Sequence, residues 1–464
     1  PPGYAFYTLL AGVWQRVVAI GSVAMRTNLL AAFVGAWAAS RVTAIVVTLC
    51  AQEKGSVQTS PWSRWGPALV GGLAVAVAPD IWQHSIHANA HIVSAALTVT
   101  QLWILVKWWR TERIIYLYAL AWLVGIGVTH HPITVWGIPA YLVFILLTRP
   151  RIVKEWRTLM GGIGAATLGL MPWLYLPLRS PHVPFGPTDM ASWDGFLRHA
   201  TAQGLRVNLF HFGLADLPDR WRVFLSLLHL QTSWPLGILI VLGFIGLAAS
   251  RPKVAVLWAG YLGGHLLFTM NSVQDVMAYL LNVFVPLGVL VALGLQVVQH
   301  AARRPWVRSA LVAVCLALIA GHAAHTFPRI TLHTWQDADV FVNALKQRFA
   351  GRGEGAALLR QEGRVGGQDD DDGGGGGGAV ARGWREATGA ARRIAAVPDG
   401  GGGGGGVARV GVAQVSVGLL HAGPAHLRHL AELLLRHAGA AARACKPVRG
   451  PACPCPVRRQ EAGR

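Results

Sequence analysis

The sequence predicts an all-α fold, a polytopic transmembrane helical bundle of about ten spans, on three observations. Of 464 residues, 53% are hydrophobic and only 13% charged, about half the charged share of a soluble domain. With a mean hydropathy of +0.42, lipid is the solvent this chain suits. Apolar runs recur at the roughly 17–25 residues a helix needs to cross about 30 Å of hydrocarbon. Backbone groups in lipid must pair within their own segment, which makes such runs helices. Finally, basic residues collect in alternate connections, as they do on the cytoplasmic side of multi-spanning proteins.

The expected spans are 27–50, 65–82, 88–106, 114–129, 133–148, 158–178, 234–250, 254–270, 277–299 and 309–325. Residues 5–20 are apolar but ambiguous and suit a helix lying on the membrane surface. Between spans, Lys54 and Arg64, Lys107, Arg110 and Arg113, Arg149, Arg151, Lys154 and Arg157, Arg251 and Lys253, and Arg303, Arg304 and Arg308 mark one side. The short connections 83–87, 130–132 and 271–276 carry no Lys or Arg. This alternation puts residues 1–26, 179–233 and 326 onward outside the cytoplasm. The formal net charge of +20 is spread over these clusters rather than gathered in one patch, so no nucleic-acid partner is expected. The 179–233 connection is too long for a turn, and a loop of that size folded over a bundle often covers a site.

Two ends of the chain read differently. Pro1-Pro2-Gly3-Tyr4 looks like the middle of a motif, and the chain reads as an N-terminally truncated fragment. Residues 1–358 form the membrane domain. Residues 359–464 hold the Asp369–Asp372 run and two glycine runs, a composition that cannot bury enough apolar surface to order itself. A disordered regulatory tail fits this stretch; out-of-frame translation of GC-rich DNA fits it better. Cys50 and Cys315 lie in apolar runs as packing residues. Cys445, Cys453 and Cys455 lack partners at zinc-finger spacing. No cofactor is evident, and a divalent-metal requirement is left open.

Four polar clusters stand out, because polar groups at membrane depth are expensive and face the bundle interior or a wet cavity. The first joins Pro1-Pro2-Gly3-Tyr4 with Arg26 and Asn28; Arg26 would either meet a phosphate or snorkel to the interface. The second is Trp82, His84, His87, Asn89 and His91, in which His87 and His91 would share a helical face. That spacing suits a metal, but a pair of interfacial histidines is the plainer reading. The third is His130-His131-Pro132, a tight turn. The fourth is NSVQDVMAY, residues 271–279, where Asp275 either caps a helix or accepts from a sugar hydroxyl or an arginine. Phosphate-binding glycine loops, nucleophile elbows and dinucleotide fingerprints are absent from the membrane part.

In order, PPGYAFYTLL, RTNLLAAFVGA, PDIWQHSI, GVTHHP, LYLPLRS and QDVMAYLLNVFVPLGVLVALGL resemble the bacterial multi-spanning family related to the animal transmembrane protein O-mannosyltransferase, over about residues 1–358. The resemblance implies a GT-C type glycosyltransferase of the bacterial inner (plasma) membrane. Such an enzyme moves a mannose-like sugar from a polyprenyl-phosphate carrier to a hydroxyl of a protein or glycan acceptor on the non-cytoplasmic side, with a carboxylate as general base. By resemblance, Tyr4, Arg26, Asn28, Arg179 and Tyr279 bind substrate, and His130, His131 and Asp275 are the catalytic candidates. Arg26 and Arg179 would hold the carrier phosphate. The family's catalytic carboxylate precedes the element that begins here at Pro1, and Asn89-Ala90-His91 stands where the family usually has Glu-Val-Tyr. The alternatives are a transporter or flippase of a lipid-linked sugar, which should show internal repeats and helices broken at mid-membrane, and a non-enzymatic scaffold. Polar residues crowd the outer boundary, and Ser40-Arg41 is the main exception: Arg41 lies deep in the first span, where it could face a cavity.

The charge alternation makes a direct prediction. Single cysteines placed at 130–132 or 271–276 should react with a membrane-impermeant maleimide in intact cells, whereas cysteines at 149–157 should react only after lysis. The reverse pattern would invert the assigned topology.

Overall fold

The computed structural model describes residues 4–50, 61–182, 190–203, 209–272 and 276–331. The chain divides into two compact units, Pro1–Leu345 and Lys346–Arg464, and every described residue belongs to the first. Asp275, Pro1, the tail and its three cysteines lie outside the described residues.

The described residues fold into helices and no strands. The helices are α1 (Ala5–Val17), α2 (Val23–Cys50), α3 (Pro61–Ala76), α4 (Pro79–Ser85), α5 (His91–Thr111), α6 (Ile115–His130), α7 (Ile138–Thr148) and α8 (Trp156–Gly169). They continue with α9 (Tyr175–Arg179), α10 (Trp193–Ala200), α11 (Leu217–Gln231), α12 (Trp234–Ser250), α13 (Pro252–Met270), α14 (Val276–Ala301) and α15 (Pro305–Ile330). Each of the ten expected spans is helical, and α1 occupies the ambiguous 5–20 segment.

Length and apolarity alone qualify five of these as spans: α2, α5, the run Trp156–His182, α14 and α15. Two bent pairs raise the number to seven, and α6 and Pro132–Thr148 are shorter apolar helices. The protein is therefore a polytopic all-α membrane protein in which several segments are too short or too bent to cross as simple rods.

The expected single span 65–82 is one of the bent pairs: Trp65–Ala76 and α4 meet at 65°. Pro79 is the reason. A residue before proline is pushed out of the helical region, and Ala78 is extended at φ −60°, ψ 129°. The other pair, Leu214–Gln231 with α12, bends by 109° through extended Thr232 and Ser233. Thus α11, part of the expected outer loop, turns across the end of the bundle.

The axis of the bundle is α14, with 89% of its apolar window buried against α12, α3, α5, α13 and α2. It contains Pro286, whose missing N–H deprives the Asn282 carbonyl of its helical partner. Tyr261 of α13 donates its hydroxyl to that carbonyl at 3.1 Å. Thr98 of α5 donates to the Asn282 side chain at 3.0 Å, and Trp258 donates to the Pro286 carbonyl at 3.3 Å. Gln101, fully buried in α5, is likewise satisfied: Tyr141 donates to its Oε1 at 3.0 Å and its amide donates to the Leu123 carbonyl at 2.9 Å. Cys315 is buried as expected, while Cys50 is only half-buried and accepts a hydrogen bond from Gln296 at 2.7 Å. At the periphery, the Trp156–His182 run and α15 are mostly uncovered.

Helices α12 and α14 touch backbone to backbone. A Cβ on Gly243 would meet the Leu290 carbonyl, and one on Gly294 would meet the Leu239 carbonyl. Small residues that allow such approach are the usual means of association where lipid removes the hydrophobic drive. Gly243→Val should therefore cost about 1–3 kcal/mol by overpacking and lower the thermal-unfolding midpoint. Gly237→Ala on the same helix, with open space at its Cβ, should leave that midpoint in place.

Candidate active site

Three loops and a helix end meet at one end of the bundle and assemble residues from all four sequence clusters. Tyr4 immediately precedes α1, His91 begins α5, His130 and His131 close α6, and Tyr279 lies in the first turn of α14. Tyr4 stacks on His131 with centroids 5.5 Å apart and planes at 24°, and its hydroxyl lies 3.3 Å from His91 Nε2. His91 packs against His131 at 5.1 Å and Tyr279 at 5.6 Å. Tyr279 packs against His131 at 5.5 Å. His130 packs against Tyr4 at 5.6 Å, Phe6 at 6.1 Å and Tyr7 at 6.4 Å. Below Tyr279, Phe268 and Trp136 extend the wall.

Local chain chemistry fixes each ring. Pro132 forces His131 out of the α6 helix into an extended conformation, φ −156°, ψ 136°. That turns its ring toward Tyr4. Its Nδ1 then accepts from the Ile133 N–H at 3.0 Å, which requires a lone pair there. Burial, with the neighbouring His91 and His130 rings, holds His131 well below the usual imidazole range. His130 is fully buried, and its Nε2 lies 2.8 Å from the Ala90 carbonyl. A carbonyl only accepts, so Nε2 carries the proton and Nδ1 carries the lone pair. Among the described residues that buried Nδ1 has no hydrogen-bond partner, and the His130 ring packs beside Tyr4, Phe6 and Tyr7.

The remaining sequence candidates fall elsewhere. Arg26 ties the α1–α2 turn: its guanidinium donates to the Gln15 carbonyl at 2.9 Å and the Gly21 carbonyl at 3.1 Å. Asn28 is half-buried one turn into α2, and Arg179 is exposed at the end of α9. The expected shared helical face of His87 and His91 is not formed. Asn89 Oδ1 accepts from the His91 N–H at 2.7 Å, so α5 begins only at His91. His87 instead sits against His84 at 5.8 Å and near the Asn89 amide at 3.4 Å. Among the described residues, no three His, Cys, Asp or Glu side chains are placed to share a metal ion.

Sequence reasoning missed Asp80. It is completely buried in the first turn of α4, with Oδ1 at 3.1 Å from His84 Nδ1. Its backbone N–H donates to Gln231 of α11 at 2.9 Å. The signal was present as a carboxylate between proline and an apolar pair, with a histidine four residues on. From the same helix α11, Arg220 donates to the Met270 and Ser272 carbonyls at 2.9 and 3.3 Å, and Phe224 stacks on Phe284 of α14. The outer-loop helix is thus pinned across α4, α13 and α14. Trp82 packs on Phe327 of α15.

The lowered basicity of His131 sets a pH dependence. A histidine whose folded pKa lies below its unfolded value binds protons more readily when unfolded, so its contribution to stability is present above about pH 6.5 and is lost as pH falls below it. The thermal-unfolding midpoint of the wild type should drop between pH 7.5 and 5.5, and His131→Phe should flatten part of that drop. Parallel profiles for the two proteins would remove His131 as the source.

No curated protein sequence matches the chain. Its fold is similar to two crystal structures of ArnT from Cupriavidus metallidurans. One is bound to undecaprenyl phosphate, with 16% identity, a TM-score of 0.45, and coverage of 75% of this chain and 69% of that one. The other is in the apo state, with 14% identity, a TM-score of 0.41, and coverage of 70% and 64%. Residues 1–154, the stretch carrying Tyr4, His91, His130 and His131, match the family described as the N-terminal domain of the protein O-mannosyl-transferase TMEM260.

Proposed function

We propose that this protein is a membrane glycosyltransferase that moves a sugar from a polyprenyl-phosphate carrier to an acceptor hydroxyl at the histidine–tyrosine end of the bundle. The observation that carries the proposal is the His130 Nδ1 lone pair, buried, fixed by its tautomer and lacking a donor among the described residues. A hydroxyl of the sugar or the acceptor supplies that donor. The O-mannosyl-transferase family matched by residues 1–154 supports mannose as the sugar. The regular charge alternation supports the non-cytoplasmic face as the place of transfer, and the resemblance to a bacterial family supports the bacterial plasma membrane.

The chemistry fits the rings on hand. As the bond from the anomeric carbon to the phosphate oxygen lengthens, positive charge grows on the sugar. The faces of Tyr4 and Tyr279 offer that charge a π surface. The acceptor oxygen then bonds to the anomeric carbon and gives up its proton, and the carrier departs as its phosphate. In this reading His130 orients or deprotonates a hydroxyl, and neutral His131 contributes shape and Nε2 as a donor. Arg179, exposed at the end of α9, and Arg26, at the α1–α2 turn, are the proposed phosphate partners. Asp275 lies four residues before Tyr279, where a carboxylate would serve as base or as partner to an arginine. The break between α3 and α4 is the feature a flippase reading would invoke, but α4 leads directly to the cluster at the rim.

A labelled polyprenyl-phosphate sugar supplied in proteoliposomes separates the readings: transfer to an acceptor means an enzyme, and movement between leaflets alone means a flippase. With transfer established, His130→Ala should slow it by about 10²-fold or more, the range of general acid–base assistance. Arg26→Ala and Arg179→Ala should weaken donor binding. Unchanged transfer and donor binding in both arginine variants would refute the phosphate assignment.

A further inference from the structure

Arg41 sits well inside α2, a 28-residue helix about 42 Å long set against about 30 Å of hydrocarbon. Its guanidinium lies over two indoles, 4.1 Å from the centre of the Trp37 ring and 4.6 Å from that of the Trp103 ring of α5. Trp37 is held in place by donating to Thr100 at 3.1 Å. A second cation, Lys107, stands 5.8 Å from the Trp103 ring. Among the described residues no carboxylate is in ion-pair reach of Arg41 or Lys107, and the one further polar contact of Arg41 is Ser40 Oγ at 3.4 Å. Two cations, Arg41 within its span and Lys107 at the end of α5, thus converge on one indole with no carboxylate between them among the described residues.

An unpaired charge in a span is costly and marks a partner. Beside these two rings, Ser40 Oγ at 3.4 Å is the one hydrogen-bond acceptor on the guanidinium among the described residues, so its remaining N–H groups suit a phosphate. Trp37 is 41% exposed and Ser40 is exposed, so the box opens to the outside of the bundle, where lipid lies. Along α5, Trp103 is about 18 Å and Lys107 about 24 Å from His91, toward the basic connection that holds Arg110 and Arg113. The box is therefore remote from the histidine cluster and belongs to the opposite leaflet, where Lys107 lies about 6 Å from its helix end. Cations drawn below the headgroups are satisfied by snorkelling and local thinning that bring lipid phosphates to them.

We propose that Arg41 and Lys107, framed by Trp37 and Trp103, bind the phosphate of an anionic phospholipid from the leaflet remote from the histidine cluster. The site is independent of the reaction proposed above.

The test uses the full chain in detergent with phosphatidylglycerol, phosphatidylcholine or polyprenyl monophosphate, and native mass spectrometry to count retained lipids. The wild type should keep phosphatidylglycerol through delipidation that strips phosphatidylcholine. The R41Q/K107Q double variant should lose that preference by about tenfold or more, as expected for two cations near a lipid phosphate. Headgroup-spin-labelled phosphatidylglycerol should also quench tryptophan fluorescence more in the wild type than in Trp103→Phe. That second readout keeps both cations in place and does not depend on the folding of the double variant. Equal retention of phosphatidylglycerol and phosphatidylcholine by the wild type would overturn the proposal, as would an undiminished preference in a folded double variant. Retention of polyprenyl monophosphate in place of phosphatidylglycerol would likewise overturn the assigned lipid.

Discussion

Every peptide group in a bilayer must find its partner inside the protein, and an unmet one costs several kcal/mol. The structure is organised by how it meets that demand where proline removes a donor. In α14 the carbonyl freed by Pro286 is claimed by Tyr261, which draws α13 onto the axis. At the α3–α4 break, the Asp80 N–H exposed by the new helix start is claimed by Gln231, which draws α11 across the end. The two repairs fix the packing of the axis and the position of the loop helix, and the imidazole cluster lies at the end of the bundle that α11 crosses.

The cluster shows the same economy in its own hydrogen bonds. The Ala90 carbonyl, which accepts the Val93 N–H of α5 at 3.1 Å, also takes His130 Nε2 at 2.8 Å, and the Ile133 N–H after Pro132 finds its acceptor in His131 Nδ1. Each repair commits one ring nitrogen. The other nitrogen of His130 is left as an acceptor with no donor among the described residues, so the turn that solves a backbone problem also prepares a chemical group.

Much of this was legible in the sequence because hydropathy and charge report directly on depth. All ten apolar segments are helical, and Tyr4, His130, His131 and Tyr279 stand out in the sequence as polar groups at the ends of apolar runs. Their convergence was not legible, since it depends on which helices neighbour one another across a separation of more than a hundred residues. The bend at Pro79 was readable from the proline but was overruled by the apolar run around it. The shared helical face expected of His87 and His91 is not formed, because periodicity says nothing about where a helix starts; Asn89 Oδ1 accepts the His91 N–H, and α5 begins there. Asp80 was overlooked because a single acid inside an apolar stretch carries no pattern, and its meaning lies in Gln231, 151 residues away.

The anchoring of α11 has a consequence for opening. Its guanidinium at Arg220 and its amide at Gln231 grip two different spans, and Phe224 grips a third. Lifting this helix would sever contacts with α4, α13 and α14 at once. Prising this end of the bundle open along its axis is therefore the costly direction.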